Sequence, residues 1–250
     1  METVIILSRK GGVGKTATAH ALGAALMQRG KRVLFIDADG QCNLTLSMKA
    51  DENQTNFYNV ISQECSIKEA IQETENGYII PGNEMLQVVD VSAGESKEQL
   101  ILKEALKEVR KDFDYCIIDT PAALGTITLN CLIAADRIII PLKADVYSLQ
   151  GISRMINALE VARKSCGSKA KISGFLLTMY NSRTGLYKFI TEELEKTAKE
   201  LKTIVYESKI RKCIAIEEAA LNQTDIFSYA PRSNAAIDYQ NFVDEFVNQK

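Results

Sequence analysis

The feature that most constrains this chain is an apolar strand that runs into a glycine loop and then an alanine-rich helix. The strand is Val4 to Leu7, the loop is Arg9-Lys10-Gly11-Gly12-Val13-Gly14-Lys15-Thr16, and the helix is expected from about 16 to 29. Strand, loop and helix in that order are the context in which a phosphate-binding loop works. Glycines let successive backbone N–H groups turn inward around an anion, and the helix N-terminus adds its partial positive charge. Lys15 supplies a point charge for the outer phosphate oxygens, and the Thr16 hydroxyl suits Mg²⁺. Gly11, Gly12, Val13, Gly14, Lys15, Thr16 and Ala17 are therefore the expected nucleotide contacts. The usual pattern has glycine where this chain has Arg9, and the loop gains a second lysine, Lys10.

Short runs rich in Val and Ile recur along the rest of the chain: Val33 to Ile36, Leu86 to Val91, Tyr115 to Ile118, Arg137 to Ile140 and Lys171 to Thr178. Near-continuous apolar strands of this kind are buried on both faces. Helical spacing separates them at about 97 to 111, 126 to 134, 148 to 165 and 186 to 201. This alternation predicts an α/β fold, a doubly wound, mostly parallel sheet flanked by helices. Gly30 is expected just past the end of the first helix, and Ser233 as the cap of a last helix running through Phe246. The stretch Asp51 to Asn59 and the turn Pro81-Gly82-Asn83 read as surface connections. No linker or repeat divides the 250 residues, so a single domain over 1–250 is expected.

Two further strands end in carboxylates: Asp37-Ala38-Asp39-Gly40-Gln41 and Asp119-Thr120-Pro121. Both fall at the C-terminal edge of the sheet, where open α/β folds bind ligands. One carboxylate there can hold the water shell of Mg²⁺ and another can orient an attacking water.

Composition excludes several classes. Thirty Lys and Arg against 32 Asp and Glu give a net charge of −2, so any nucleic-acid contact must come from a local patch. The six cysteines include no C-x-x-C pair and read as reduced thiols of a cytoplasmic protein. No apolar run is long enough to span a bilayer, and the first residues lack a signal peptide's basic segment and cleavage site. The lone histidine, His20, is expected as a partly exposed residue of the first helix.

Taken together, the double-lysine loop and the two carboxylate motifs resemble the ParA/MinD group of P-loop NTPases, of the SIMIBI type. The run Asp119-Thr120-Pro121-Ala122-Ala123-Leu124-Gly125 is similar to ParA/Soj partition ATPases in particular. So are Leu129-Asn130, Ala134-Ala135-Asp136, Ile140-Pro141-Leu142, Ser148-Leu149-Gln150-Gly151, the stretch Leu177 to Thr184 and Tyr229-Ala230-Pro231-Arg232-Ser233. The resemblance covers nearly the whole chain and is weakest from about 48 to 85.

It implies an ATP- and Mg²⁺-dependent ATPase that hydrolyses slowly, forms a homodimer on binding ATP, binds DNA without sequence preference and answers to a ParB-like centromere-binding partner. Such a protein would be cytoplasmic and nucleoid-associated, moving a plasmid, a chromosome or a mobile element. Lys10 would cross the dimer, and Lys10, Lys15 and Asp39 would carry catalysis. Thr16, Asp39 and Asp119 would serve the metal, Asp37 would join their polar network, and Asn181 would meet the adenine. The DNA surface would draw on Arg183, Lys209, Arg211, Lys212 and Arg232.

The chain departs from the family pattern at Gly40 and Ala122, where proline is usual, and at Ala215, where relatives often carry an arginine that touches DNA. With the phosphate loop beginning at residue 10, no N-terminal helix-turn-helix domain is expected. Three other readings share the loop. A MinD-like membrane switch needs a basic amphipathic C-terminal helix, whereas this tail is acidic and carries Phe242, Val243, Phe246 and Val247 on one face. An iron-sulfur reductase needs clustered cysteines. A cargo-positioning relative would keep the switch and move something other than a replicon.

Overall fold

The computed structural model describes residues 1–89, 100–181 and 185–249, with the side chains of 146–150, 185 and 186 left aside. A seven-stranded sheet forms its centre, in the order β3-β4-β2-β5-β1-β6-β7. The strands are β1 (Glu2–Ile6), β2 (Val33–Asp37), β3 (Gln72–Thr74), β4 (Gly77–Ile80), β5 (Tyr115–Asp119), β6 (Arg137–Lys143) and β7 (Lys171–Thr178). All pairings are parallel except that of the edge hairpin β3 with β4.

Side chains alternate along each inner strand, so the sheet has two cores. Ile5, Leu34, Ile36, Cys116 and Ile118 face one, with Phe57 and Val60 of α3 (Phe57–Ile61), Leu102 of α5 (Ile101–Ala105), Ile127 and Cys131 of α6 (Thr126–Ala134), Ile152 of α7 (Val146–Cys166) and Ile190 of α8 (Gly185–Glu200). Val4, Ile6, Val33, Phe35 and Ile117 face the other. There they meet α1 (Lys15–Gln28), α2 (Asn43–Ser47), α9 (Ala215–Leu221), α10 (Ile226–Tyr229) and α11 (Asn234–Asn248). Leu22 and Leu26 of α1 are 0% and 1% exposed, and such burial stabilises by about 1.5–3 kcal/mol each. The doubly wound expectation is met.

Caps and turns explain most boundaries. Gly30 follows α1 at φ 75, and Ser233 caps α11 by accepting a hydrogen bond from Ala236 N. Phe242, Val243 and Phe246 are buried, whereas Val247, expected on the same face, is 44% exposed.

The region from 51 to 111 differs most from expectation. A strand was expected over Leu86 to Val91, but Leu86–Val89 is the short helix α4, with 90 and 91 outside the described residues. The Asn83 side chain accepts a hydrogen bond from Met85 N at 2.9 Å and starts a helical turn, and Val88 is 61% exposed. The place beside β2 is taken by β4, whose Gly77-Tyr78-Ile79-Ile80 ends at Pro81. The turn at Pro81 and Gly82 is buried rather than on the surface. The stretch from Asp51 ends in the cap of α3, where Asn56 accepts from Tyr58 N and Asn59 N. The helix expected at 97 to 111 resolves into α5 and a 3-10 turn, Leu106–Glu108, with 97–99 outside the described residues.

Candidate functional site

The loop between β1 and α1 is held open by its surroundings. Leu7 N donates to Ile139 O at 2.9 Å, and the Thr178 hydroxyl at the end of β7 donates to Val13 O at 2.8 Å. Gly14, the residue before α1, has φ 84, a left-handed conformation that an L side chain rarely adopts. A Cβ built on Gly11, Gly12 or Gly14 would meet nothing within 4 Å, so these glycines border open space. Lys15 is only 8% exposed at the start of α1.

Asp37 and Asp119 sit side by side as register partners at the ends of β2 and β5, both 0% exposed. Asp37 Oδ2 accepts from Thr45 N and Thr45 Oγ1, each at 2.8 Å, and its Oδ1 accepts from Asp39 N at 3.2 Å. Asp119 Oδ2 accepts from Thr16 Oγ1 at 2.6 Å, while Asp119 Oδ1 is buried without a partner. Burial raises the pKa of both carboxyls; the charge of Asp37 adds to the rise at Asp119, and that of Asp39 adds to both. A carboxylate pair so placed favours an added positive charge. With the Thr16 hydroxyl beside it, the orphaned Asp119 oxygen fits Mg²⁺ carrying its own waters. Mg²⁺ is commonly held in that way, by few protein groups. Among the described residues no group of three or more His, Cys, Asp or Glu is placed to hold a metal by itself.

Asp39 follows in a half-buried loop. Its Oδ1 accepts from Gln41 N at 3.1 Å, and its Oδ2 takes no hydrogen bond among the described residues. The loop edges a cavity of about 990 Å³ that also takes in Gly11, Gly12, Gly14, Lys15, Thr16 and Ala17. That volume suits a nucleotide.

Sequence reasoning missed several walls of this cavity. Leu46 and Ser47 come from α2, Gln87 from α4, and Ile216, Ala220 and Leu221 from α9. His20 also lines it and is 7% exposed, which corrects the expectation of a partly exposed residue. Its position one helical turn beyond Thr16 was the available signal, since residues four apart share a helix face. Its Nε2 is buried without a partner, and burial lowers its pKa to about 4, opposed by the charge of Asp225.

Lys10 does not line the cavity. Its Nζ pairs with Asp145 Oδ2, just before α7, and its side chain keeps 41% exposure. Asn181, expected at the adenine, is exposed and also absent from the cavity walls, which Met179 reaches instead. Of the expected DNA contacts, Arg183 lies outside the described residues. Arg211 is committed elsewhere: its Nη2 donates to Asp238 Oδ1 at 2.6 Å and its Nε to Asp238 Oδ2 at 2.9 Å. Lys209 Nζ lies 5.0 Å from the centre of the Tyr180 ring, while Lys212 and Arg232 are exposed. Ala215 is buried at the start of α9.

Comparison with known proteins adds a second line. A family profile described as an AAA domain matches residues 1–172. Over 248 residues the chain is 35% identical to the sporulation initiation inhibitor protein Soj of Bacillus subtilis, covering 97% of this chain and 96% of that protein. It is 29% identical over 257 residues to the chromosome partitioning protein ParA of Caulobacter vibrioides, covering 100% and 95%. The structure of cobyrinic acid a,c-diamide synthase from Mycobacterium smegmatis with bound ADP and magnesium matches with a TM-score of 0.81 at 27% identity, over 99% of this chain and 94% of that one.

Proposed function

The chain belongs to the ParA/Soj family of P-loop ATPases, which act with ATP and Mg²⁺, and from that premise we propose an ATP-gated dimerising switch. In this reading the dimer binds DNA without sequence preference, and a ParB-like partner triggers hydrolysis to position a replicon or other cargo.

The glycine loop and Lys15 bind the outer phosphates through backbone N–H groups and one ammonium. Bound beside the Thr16 hydroxyl and Asp119, Mg²⁺ would neutralise charge developing on the phosphate oxygens. The Asp39 carboxylate has one oxygen tied to its own loop and the other available to hold a water for attack. With the nucleophile positioned by a single carboxylate, turnover is slow until something improves that geometry.

One observation carries the dimer. Lys10 stands at the head of the phosphate loop yet is absent from the walls of its own cavity, which Lys15 already serves. An ammonium in that place is suited to the nucleotide of a facing copy. The proposed DNA surface rests on Lys209, Lys212 and Arg232, since Arg211 is occupied by Asp238. Duplicated across a dimer, these weak phosphate contacts gain avidity. A membrane switch is the weaker reading, because α11 buries Phe242, Val243 and Phe246 against the sheet, and no helix among the described residues is long and apolar enough to cross a bilayer.

The test is molecular mass in solution with ATP, with ADP and without nucleotide, in an Asp39→Ala background that blocks turnover. A dimer with ATP alone is expected, with salt-sensitive DNA retention that disappears in Lys10→Ala. A monomer in all three states would refute the switch.

A further inference from the structure

The loop carrying Asp39 is restrained from below and from above. At its base, Ala38 N donates to Asp119 O at 2.9 Å, and Asp39 N donates to Asp37 Oδ1. Thr45, bound to the other Asp37 oxygen, accepts a hydrogen bond from Gly82 N at 2.8 Å. A Cβ on Gly82 would come within 3.0 Å of Asp39 O, so the segment after β4 is pressed directly onto this loop.

The apex is held from another element. Gln87 of α4 donates from Nε2 to Gly40 O at 3.0 Å. A Cβ on Gly40 would lie 2.7 Å from Gln87 Cγ and 3.3 Å from Gln87 N, so the side chain and backbone of Gln87 both lie over this residue. Leu86, 2% exposed in the core with Ala38, fixes α4 in that place. Gly40 directly follows Asp39, and each of these bonds limits where the carboxylate can point.

We propose that Gln87 is a positioning residue for hydrolysis: by holding the Gly40 carbonyl it sets the Asp39 carboxylate relative to the phosphate loop. The role rests on Asp39 supporting hydrolysis, and it acts on the chemical step rather than on nucleotide affinity. Gln87→Met keeps the bulk over Gly40 and removes the donor, whereas Gln87→Ala removes both.

The experiment measures single-turnover ATP hydrolysis and the Kd for a fluorescent ATP analogue in the full chain, for wild type, Gln87→Met, Gln87→Ala and Asp39→Ala. Loss of one neutral hydrogen bond corresponds to about a fivefold fall in rate. The expected result is that fall in both Gln87 variants, with Kd within twofold of wild type and no recovery from methionine. A wild-type rate in Gln87→Met, or a faster one, would overturn the proposal, as would a loss confined to Kd, which would make Gln87 a nucleotide contact. If Asp39→Ala also hydrolyses normally, the reading of Asp39 fails and takes the Gln87 role with it. If Asp39→Ala is inactive while Gln87→Met is normal, the Gln87 role alone is wrong.

Discussion

The pairing of Lys10 with Asp145 within one chain makes a quantitative prediction about assembly. If Lys10 serves a facing nucleotide, each protomer must give up this contact before the dimer closes, so replacing Asp145 by asparagine should tighten the dimer. The Lys10 side chain is 41% exposed and that of Asp145 21%, which puts the pair in the class of surface ion pairs rather than buried ones. Such pairs contribute about 0.2–1 kcal/mol each. Two pairs break per dimer, a total of about 0.4–2 kcal/mol, and 1.4 kcal/mol is a factor of ten. Asp145→Asn should therefore lower the dimer dissociation constant between about twofold and thirtyfold, with the gain shrinking as salt is raised. Sedimentation equilibrium with ATP, in the Asp39→Ala background, reads this directly. A weaker or unchanged dimer constant would refute the reasoning, because Asp145 would then be supporting Lys10 in the closed state.

Three other predictions follow from the geometry. Lys15→Ala should raise the Kd for ATP at least a hundredfold in a fluorescent-nucleotide titration, since it removes the buried ammonium at the phosphate loop. Because burial holds His20 near a pKa of about 4 against 6.5 when free, the unfolded chain takes up this proton first. This group costs nothing above pH 6.5, costs progressively more as pH falls from 6.5 to about 4, and adds no further loss below that. The full span is roughly 3 kcal/mol, and urea unfolding of His20→Gln should lack that part of the acid loss. Arg211→Ala should lower the urea midpoint, since it leaves the buried Asp238 carboxylate with only the backbone N–H of residue 211 in place of the guanidinium, whereas Lys212→Glu and Arg232→Glu should leave that midpoint nearly unchanged and weaken DNA retention on a salt gradient.

How much was legible depended on whether the signal was local. The phosphate loop, β5 with its terminal Asp119, and helix α6 at Thr126–Ala134 fell where periodicity and glycine placement put them, because buried parallel strands and helix caps write themselves into neighbouring residues. The run from Leu86 to Val89 misled because a few β-branched residues look alike in a strand and in one turn of helix, and what decided between them was Asn83 and competition from β4. The walls from α2, α4 and α9 were invisible for a different reason. Their residues are ordinary Leu, Gln and Ala, brought to the site only by packing between elements distant in sequence. Arg211 shows the converse, a charge that sequence alone leaves free and that a buried aspartate on α11 claims.

The bond from Thr178 to Val13 ties the phosphate cradle to the far side of the sheet. With β7 bracing it, the cradle is shaped before any anion arrives, so less of the contact energy goes into ordering backbone and more is left as affinity.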